Sequence, residues 1–142
     1  MIHLPLVKDC MVSPVITIRE DSCIYKAIDT LIENQISGAP VVNESGKLTG
    51  VISEKDCFKI ISKGVNHMLP EEGETVEKFM TKDVKTITPD VNIFYAAGIF
   101  LKQSYRRLPV VEHDKVVGQI SRVDVLKGIR KYISEKYPLV KK

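Results

Sequence analysis

Two seven-residue stretches carry the residue types best suited to holding a ligand. Gly50-Val51-Ile52-Ser53-Glu54-Lys55-Asp56 and Gly118-Gln119-Ile120-Ser121-Arg122-Val123-Asp124 share one order: glycine, a strand-like pair, serine, two variable residues, aspartate. Serine followed three residues later by a carboxylate resembles a capping box, which satisfies the free amides at a helix start. A carboxylate at that place is also able to accept two hydrogen bonds from the vicinal hydroxyls of a ribose. The neighbouring amides and hydroxyl then face an anion such as phosphate. The two readings are compatible, and the sequence alone leaves both open.

The elements that must position these stretches come from a duplication. Val7-Lys8-Asp9-Cys10-Met11 returns as Val76-Glu77-Lys78-Phe79-Met80, Thr17-Ile18 as Thr86-Ile87, and Pro40-Val41-Val42 as Pro109-Val110-Val111, each 69 residues further on. From Gly50 to Gly118 the offset falls to 68, because Asn43-Glu44-Ser45-Gly46-Lys47 shortens to Glu112-His113-Asp114-Lys115. Turns tolerate such a loss.

Each copy reads as strand, helix, strand, strand, helix. Val15 to Ile18 and Val84 to Ile87 are short β-branched runs, read as strands. Asp21 and Asp90 stand where helix N-caps are expected. The apolar positions Ile24, Ala27, Ile28, Leu31, Ile32 and Ile93, Ala96, Ala97, Phe100, Leu101 follow the spacing of one buried helical stripe. Hairpins of Pro40 to Val42 with Leu48 to Ser53, and of Pro109 to Val111 with Val116 to Ser121, lead into closing helices at Ser53 and Ser121. The expected fold class is α+β: two β-α-β-β-α units packed sheet to sheet, since a copy of this size is marginal alone. The expected organisation is repeat 1 over 7–63, a linker over 64–75, repeat 2 over 76–134 and a basic tail over 135–142.

Composition narrows the function classes. The chain has 142 residues, 44% hydrophobic and 27% charged, which places it with ordinary globular proteins. Its formal net charge of +3 does not demand nucleic acid. No apolar run approaches the roughly 20 residues of a membrane-spanning helix, and the N-terminus lacks the order of a signal peptide. A cytoplasmic protein is the expectation. Cys10, Cys23 and Cys57 are far apart and read as buried filler. His3, His67 and His113 are isolated, so no zinc spacing arises. No phosphate-binding loop, dinucleotide fingerprint, zinc-protease pair or nucleophile elbow is present, and nothing nominates a catalytic group. The chain is read as a non-enzyme.

The duplicated pattern, the Pro-Val-Val strands and the paired G-h-h-S-x-x-D segments resemble the CBS domain family, named from cystathionine β-synthase. The resemblance covers about 7–63 and 76–134. It implies a Bateman module, two repeats related by a pseudo-twofold axis, with clefts that take AMP, ADP, ATP, S-adenosylmethionine or related adenosyl ligands as regulatory ligands. It also implies a homodimer of modules and an unidentified regulated protein acted on in trans.

Carried over by position, the resemblance gives one cleft Ser53 and Asp56 with Tyr105, Arg106 and Arg107, and Thr81 and Val84 around the base. It gives the other Ser121 and Asp124 with Ile36 and Ser37, and Val12 and Val15 around the base. Arg106 and Arg107 offer guanidinium donors suited to phosphate where the first copy has Ser37 and Gly38. The cleft assigned to Asp56 is therefore expected to prefer phosphorylated ligands. Two alternatives stand beside this reading: a ligand-free dimerisation scaffold, and a nucleic-acid module using the basic segment from Lys127 to Lys142.

Overall fold

The computed structural model describes residues 3–62 and 69–138. His67, the 64–68 part of the expected linker and residues 139–142 of the expected tail lie outside them. In chain order the elements are α1 (Val7–Cys10), β1 (Ile18–Arg19), α2 (Ile24–Glu33), β2 (Gly38–Val42), β3 (Leu48–Ser53), α3 (Glu54–Ser62), a 3₁₀ turn (Val76–Lys78), α4 (Ile93–Lys102), β4 (Arg107–Glu112), β5 (Lys115–Ser121) and α5 (Arg122–Lys136). The architecture is mixed α+β, as the duplicated pattern predicts. No helix among the described residues is long and apolar enough to cross a membrane.

The chain divides into two compact units. One is Ile16–Val84; the other joins Met1–Val15 to Lys85–Lys142. Each unit therefore contains the opening segment of the other sequence repeat. In the first, β1 runs parallel to β2 and β2 pairs antiparallel with β3, from Gly38 opposite Ser53 to Val42 opposite Leu48. In the second, β4 pairs antiparallel with β5, from Arg107 opposite Ser121 to Glu112 opposite Lys115.

The two cores use equivalent positions. Ile18, Ile24, Ala27, Leu31, Ala39, Val41, Ile52, Cys57 and Val76 form one, and Ile87, Ile93, Ala96, Phe100, Leu108, Val110, Ile120, Val125 and Val7 form the other. Every member has its counterpart at the repeat offset, but the valines are exchanged: Val76 completes the core of the first repeat and Val7 that of the second. The backbone repeats the exchange. The Val7 amide donates to the Val91 carbonyl at 2.7 Å and the Ile93 amide to that of Pro5 at 3.0 Å. In the other unit the Val76 amide donates to the Ser22 carbonyl at 2.9 Å and the Ile24 amide to that of Glu74 at 3.0 Å.

Three local expectations are corrected. The strand expected over Val84–Ile87 is absent; Ile87 makes only a single bridge, to Val110. In the first copy the ladder is extended by the Glu20 amide, which donates to the Val42 carbonyl at 2.9 Å. The equivalent residue is Pro89, which has no N–H to give. The first-copy strand itself lies at Ile18–Arg19 rather than Val15–Ile18. The N-caps are Cys23 and Asn92, and the Asn92 carboxamide oxygen accepts from the Tyr95 amide at 3.0 Å. Asp21 accepts instead from Arg19 at 2.9 Å and Asp90 from Lys8 at 3.2 Å.

The lost residue in the second hairpin is a change of turn type. Gly46 takes the left-handed conformation (φ 86°) in the longer first turn, whereas His113 and Asp114 both have positive φ, 54° and 66°, in the second. Two consecutive left-handed residues make the two-residue turn whose twist matches that of the flanking strands.

Candidate functional site

The glycine that opens each seven-residue stretch lies in a strand, under a methionine. A Cβ on Gly50 would stand 2.7 Å from both the Met80 sulfur and the Thr81 carbonyl oxygen. On Gly118 it would stand 2.6 Å from the Met11 sulfur and 2.9 Å from the Val12 carbonyl oxygen. Those distances are below van der Waals contact, so only a residue without a side chain lets the opening segment lie across the strand. There the segment bridges by paired backbone bonds: Val51 with Thr81 at 2.9 Å in both directions, and Val12 with Gln119 at 2.8 and 3.0 Å. Thr81 is thereby brought over the head of α3, and Val12 over the head of α5.

At both helix heads the capping reading holds. The Ser53 amide and hydroxyl donate to Asp56 Oδ2 at 2.9 and 3.0 Å, and the Asp56 amide donates back to Ser53 Oγ at 3.3 Å. The Ser121 amide donates to Asp124 Oδ2 at 2.9 Å and the Asp124 amide to Ser121 Oγ at 3.2 Å. Beyond this the heads differ. Thr81 Oγ1 donates to Asp56 Oδ1 at 3.1 Å, while the equivalent Val12 has no hydroxyl. Asp56 is buried and Asp124 half-buried.

Ser53, Asp56, Thr81, Val84, Ile36 and Ser37 belong to the unit Ile16–Val84. Ser37 lies beside the head of α3, its carbonyl accepting from the Glu54 amide at 2.8 Å. Val12, Val15, Tyr105, Arg106, Arg107, Ser121 and Asp124 belong to the other unit. Arg122 at the head of α5 donates its side chain to the Tyr105 carbonyl at 2.7 Å and its amide to the Arg106 carbonyl at 3.2 Å, and Arg107 pairs in register with Ser121. Sequence reasoning did not find the Thr81 to Asp56 bond. Its signal was present as a threonine in one copy where the other has valine.

An open groove of about 540 Å³ runs beside α5, lined among others by Asp9, Cys10, Asp124, Lys127, Lys131 and Tyr132. Gly128 floors it, and a Cβ there would meet the Cys10 sulfur at 2.5 Å. Burial pushes the Cys10 thiol up, helped by the Asp9 and Asp124 carboxylates. Burial likewise raises the Cys57 thiol, with Asp56 and Glu54 adding to it. Protonated thiols of this kind are poor nucleophiles and poor metal ligands. Among the described residues no three His, Cys, Asp or Glu side chains converge.

With this geometry in hand, the comparisons with known proteins agree with one another. A CBS domain family model matches residues 7–63 and 76–131. The crystal structure of CBSX2 from Arabidopsis thaliana in complex with AMP superposes with a TM-score of 0.77 at 25% identity, over 89% of this chain and 97% of that one. The CBS domain pair of protein MJ0100, in complex with 5'-methylthioadenosine and S-adenosyl-L-methionine, superposes with a TM-score of 0.74 at 29% identity, over 91% and 98%. In sequence, the A-adding tRNA nucleotidyltransferase of Aquifex aeolicus is 34% identical over 124 residues, which are 87% of this chain and 14% of that enzyme. The chain thus spans about a seventh of that relative. It belongs to the CBS domain family, as a pair of CBS repeats.

Proposed function

We propose that this chain is a regulatory module that takes an adenosyl ligand, AMP, ADP, ATP or S-adenosylmethionine, at an acidic helix head, and carries out no chemistry on it. The supporting observation is the Ser-x-x-Asp box built at the starts of α3 and α5, in a family whose members CBSX2 and MJ0100 were crystallised with AMP and with 5'-methylthioadenosine and S-adenosyl-L-methionine. At the head of α5 the box orients a carboxylate, Asp124, whose remaining lone pairs suit the two hydroxyls of a ribose. Arg106 and Arg107, at the start of β4, are the side chains proposed for a phosphate. Nucleotidyl transfer is the named activity of the Aquifex relative, of whose length this chain matches 14%.

The module is further proposed to work as a cytoplasmic homodimer on a partner protein in trans. Equivalent positions of the two repeats leave large apolar side chains exposed, Ile32 at 69% and Leu101 at 89%, Phe58 at 65% and Leu126 at 64%. Repeated apolar exposure of this kind marks an interaction surface. A thermal-shift panel of AMP, ADP, ATP, NADH and S-adenosylmethionine tests the ligand reading, because a ligand that prefers the folded chain raises its Tm by mass action. A rise with at least one adenosyl compound supports it. Silence across the panel, at millimolar concentrations, assigns the chain to scaffolding.

A further inference from the structure

The two helix heads are not equivalent as ribose sites: Asp56 accepts from the Thr81 and Ser53 hydroxyls, whereas among the described residues Asp124 accepts from neither counterpart. Thr81 and Val12 sit at matching positions, each bonded by its backbone to the strand beneath. Thr81 places its hydroxyl on Asp56 Oδ1 at 3.1 Å, while the Ser53 amide and hydroxyl hold Oδ2. Both oxygens of Asp56 are therefore engaged by the chain itself, and the residue is 7% exposed. Among the described residues, the side chain of Asp124 accepts only from the Ser121 amide, through Oδ2. Its Oδ1 keeps both lone pairs, and Asp124 lines the open groove beside α5 with Lys127, Lys131 and Tyr132.

A vicinal diol binds a carboxylate by setting one hydroxyl on each oxygen, so a carboxylate already holding three donors must surrender one to take it. We propose that Asp124 is the carboxylate that grips the ribose, that Asp56 is a structural tie fastening the segment around Thr81 to the head of α3, and that Thr81 decides this division. The inference rests on the adenosyl reading above and reverses the sequence expectation that gave the leading site to Asp56.

The test is calorimetric titration of the full chain with AMP and with S-adenosylmethionine, alongside Asp124→Asn, Asp56→Asn and Thr81→Val, each checked for a folded Tm. Asp124→Asn is expected to weaken the better ligand about tenfold or more, the scale of a lost charge-assisted bond. Asp56→Asn is expected to lower Tm and keep affinity within about threefold, a smaller change than one such bond brings. Thr81→Val, which gives the α3 head the residue found at the α5 head, is expected to raise the number of ligands bound per chain from one to two. A tenfold loss in Asp56→Asn, or unchanged affinity in Asp124→Asn, overturns the inference and leaves the adenosyl reading standing. Should Asp56→Asn fail to fold, a tenfold loss of affinity in Thr81→Val overturns it equally. A wild-type chain that binds neither compound overturns both.

Discussion

Met11 lies across Gly118 so closely that a single added carbon would stand 2.6 Å from its sulfur. Met80 repeats the arrangement over Gly50 at 2.7 Å. A methionine sulfur has room to swing aside, but the Val12 and Thr81 carbonyl oxygens, at 2.9 and 2.7 Å, are backbone and held in the bridge. Gly118→Ala and Gly50→Ala are therefore each expected to destabilise the fold by about 1–3 kcal/mol, the usual cost of overpacking. Urea unfolding measures this. A loss under about 0.5 kcal/mol, the scale of an ordinary surface substitution, contradicts the close approach.

The exchange of Val7 and Val76 makes a prediction that sequence repeats alone would invert. Both are fully buried, each in the unit built by the other repeat. Truncation to alanine removes two methyl groups from a packed core and costs about 2 kcal/mol. Hydrogen exchange in Val7→Ala is expected to rise in α4, β4, β5 and α5, and in Val76→Ala in α2, β2, β3 and α3. The opposite distribution would show that each opening segment packs with its own repeat.

In the second hairpin, His113 and Asp114 both occupy the left-handed region that glycine enters without steric cost. Asp114→Gly is expected to raise stability by about 0.5–1 kcal/mol, read as a higher urea midpoint. A lower midpoint would contradict the turn assignment.

The raised thiols give a pH dependence with a definite sign. Cys57 holds its proton more tightly when folded than at the ordinary thiol value of 9.0. Its contribution is fully present below that value and is lost as pH rises through the folded one, because the unfolded chain ionises first. Tm is expected to fall as pH rises above the ordinary thiol value of 9.0. Cys57→Val, which installs the residue found at the equivalent Val125, is expected to flatten part of that fall. An identical alkaline slope in the variant would sink the assignment.

Arg107→Ala is expected to weaken AMP and ATP more than adenosine, since only the first two carry phosphate for a guanidinium to hold. Equal losses for all three would remove Arg107 from phosphate binding.

Much of this was legible before any coordinates. Helical stripes placed α2 and α4, the Pro-Val-Val runs placed β2 and β4, and the recurrence of Ser-x-x-Asp placed both helix heads. What stayed hidden depends on tertiary partners. Asp21 and Asp90 look like caps, yet Arg19 and Lys8 claim them by charge. The strand missing before α4 was written in Pro89, whose absent N–H matters only once Glu20 is seen bonding Val42. The exchange of Val7 with Val76 has no local signature, because both segments present the same valine and methionine at the positions that pack. The asymmetry of the acidic heads lay in Thr81 against Val12, a difference that gains meaning only when the hydroxyl is found on Asp56.

The central claim, that this CBS pair binds an adenosyl ligand without transforming it, is tested most directly by titrating the chain with AMP and S-adenosylmethionine and recovering the ligand afterwards. The account predicts saturable binding of at least one of them, with the recovered compound chemically unchanged. Absence of saturable binding to either, or recovery of a cleaved or transferred product, would contradict it.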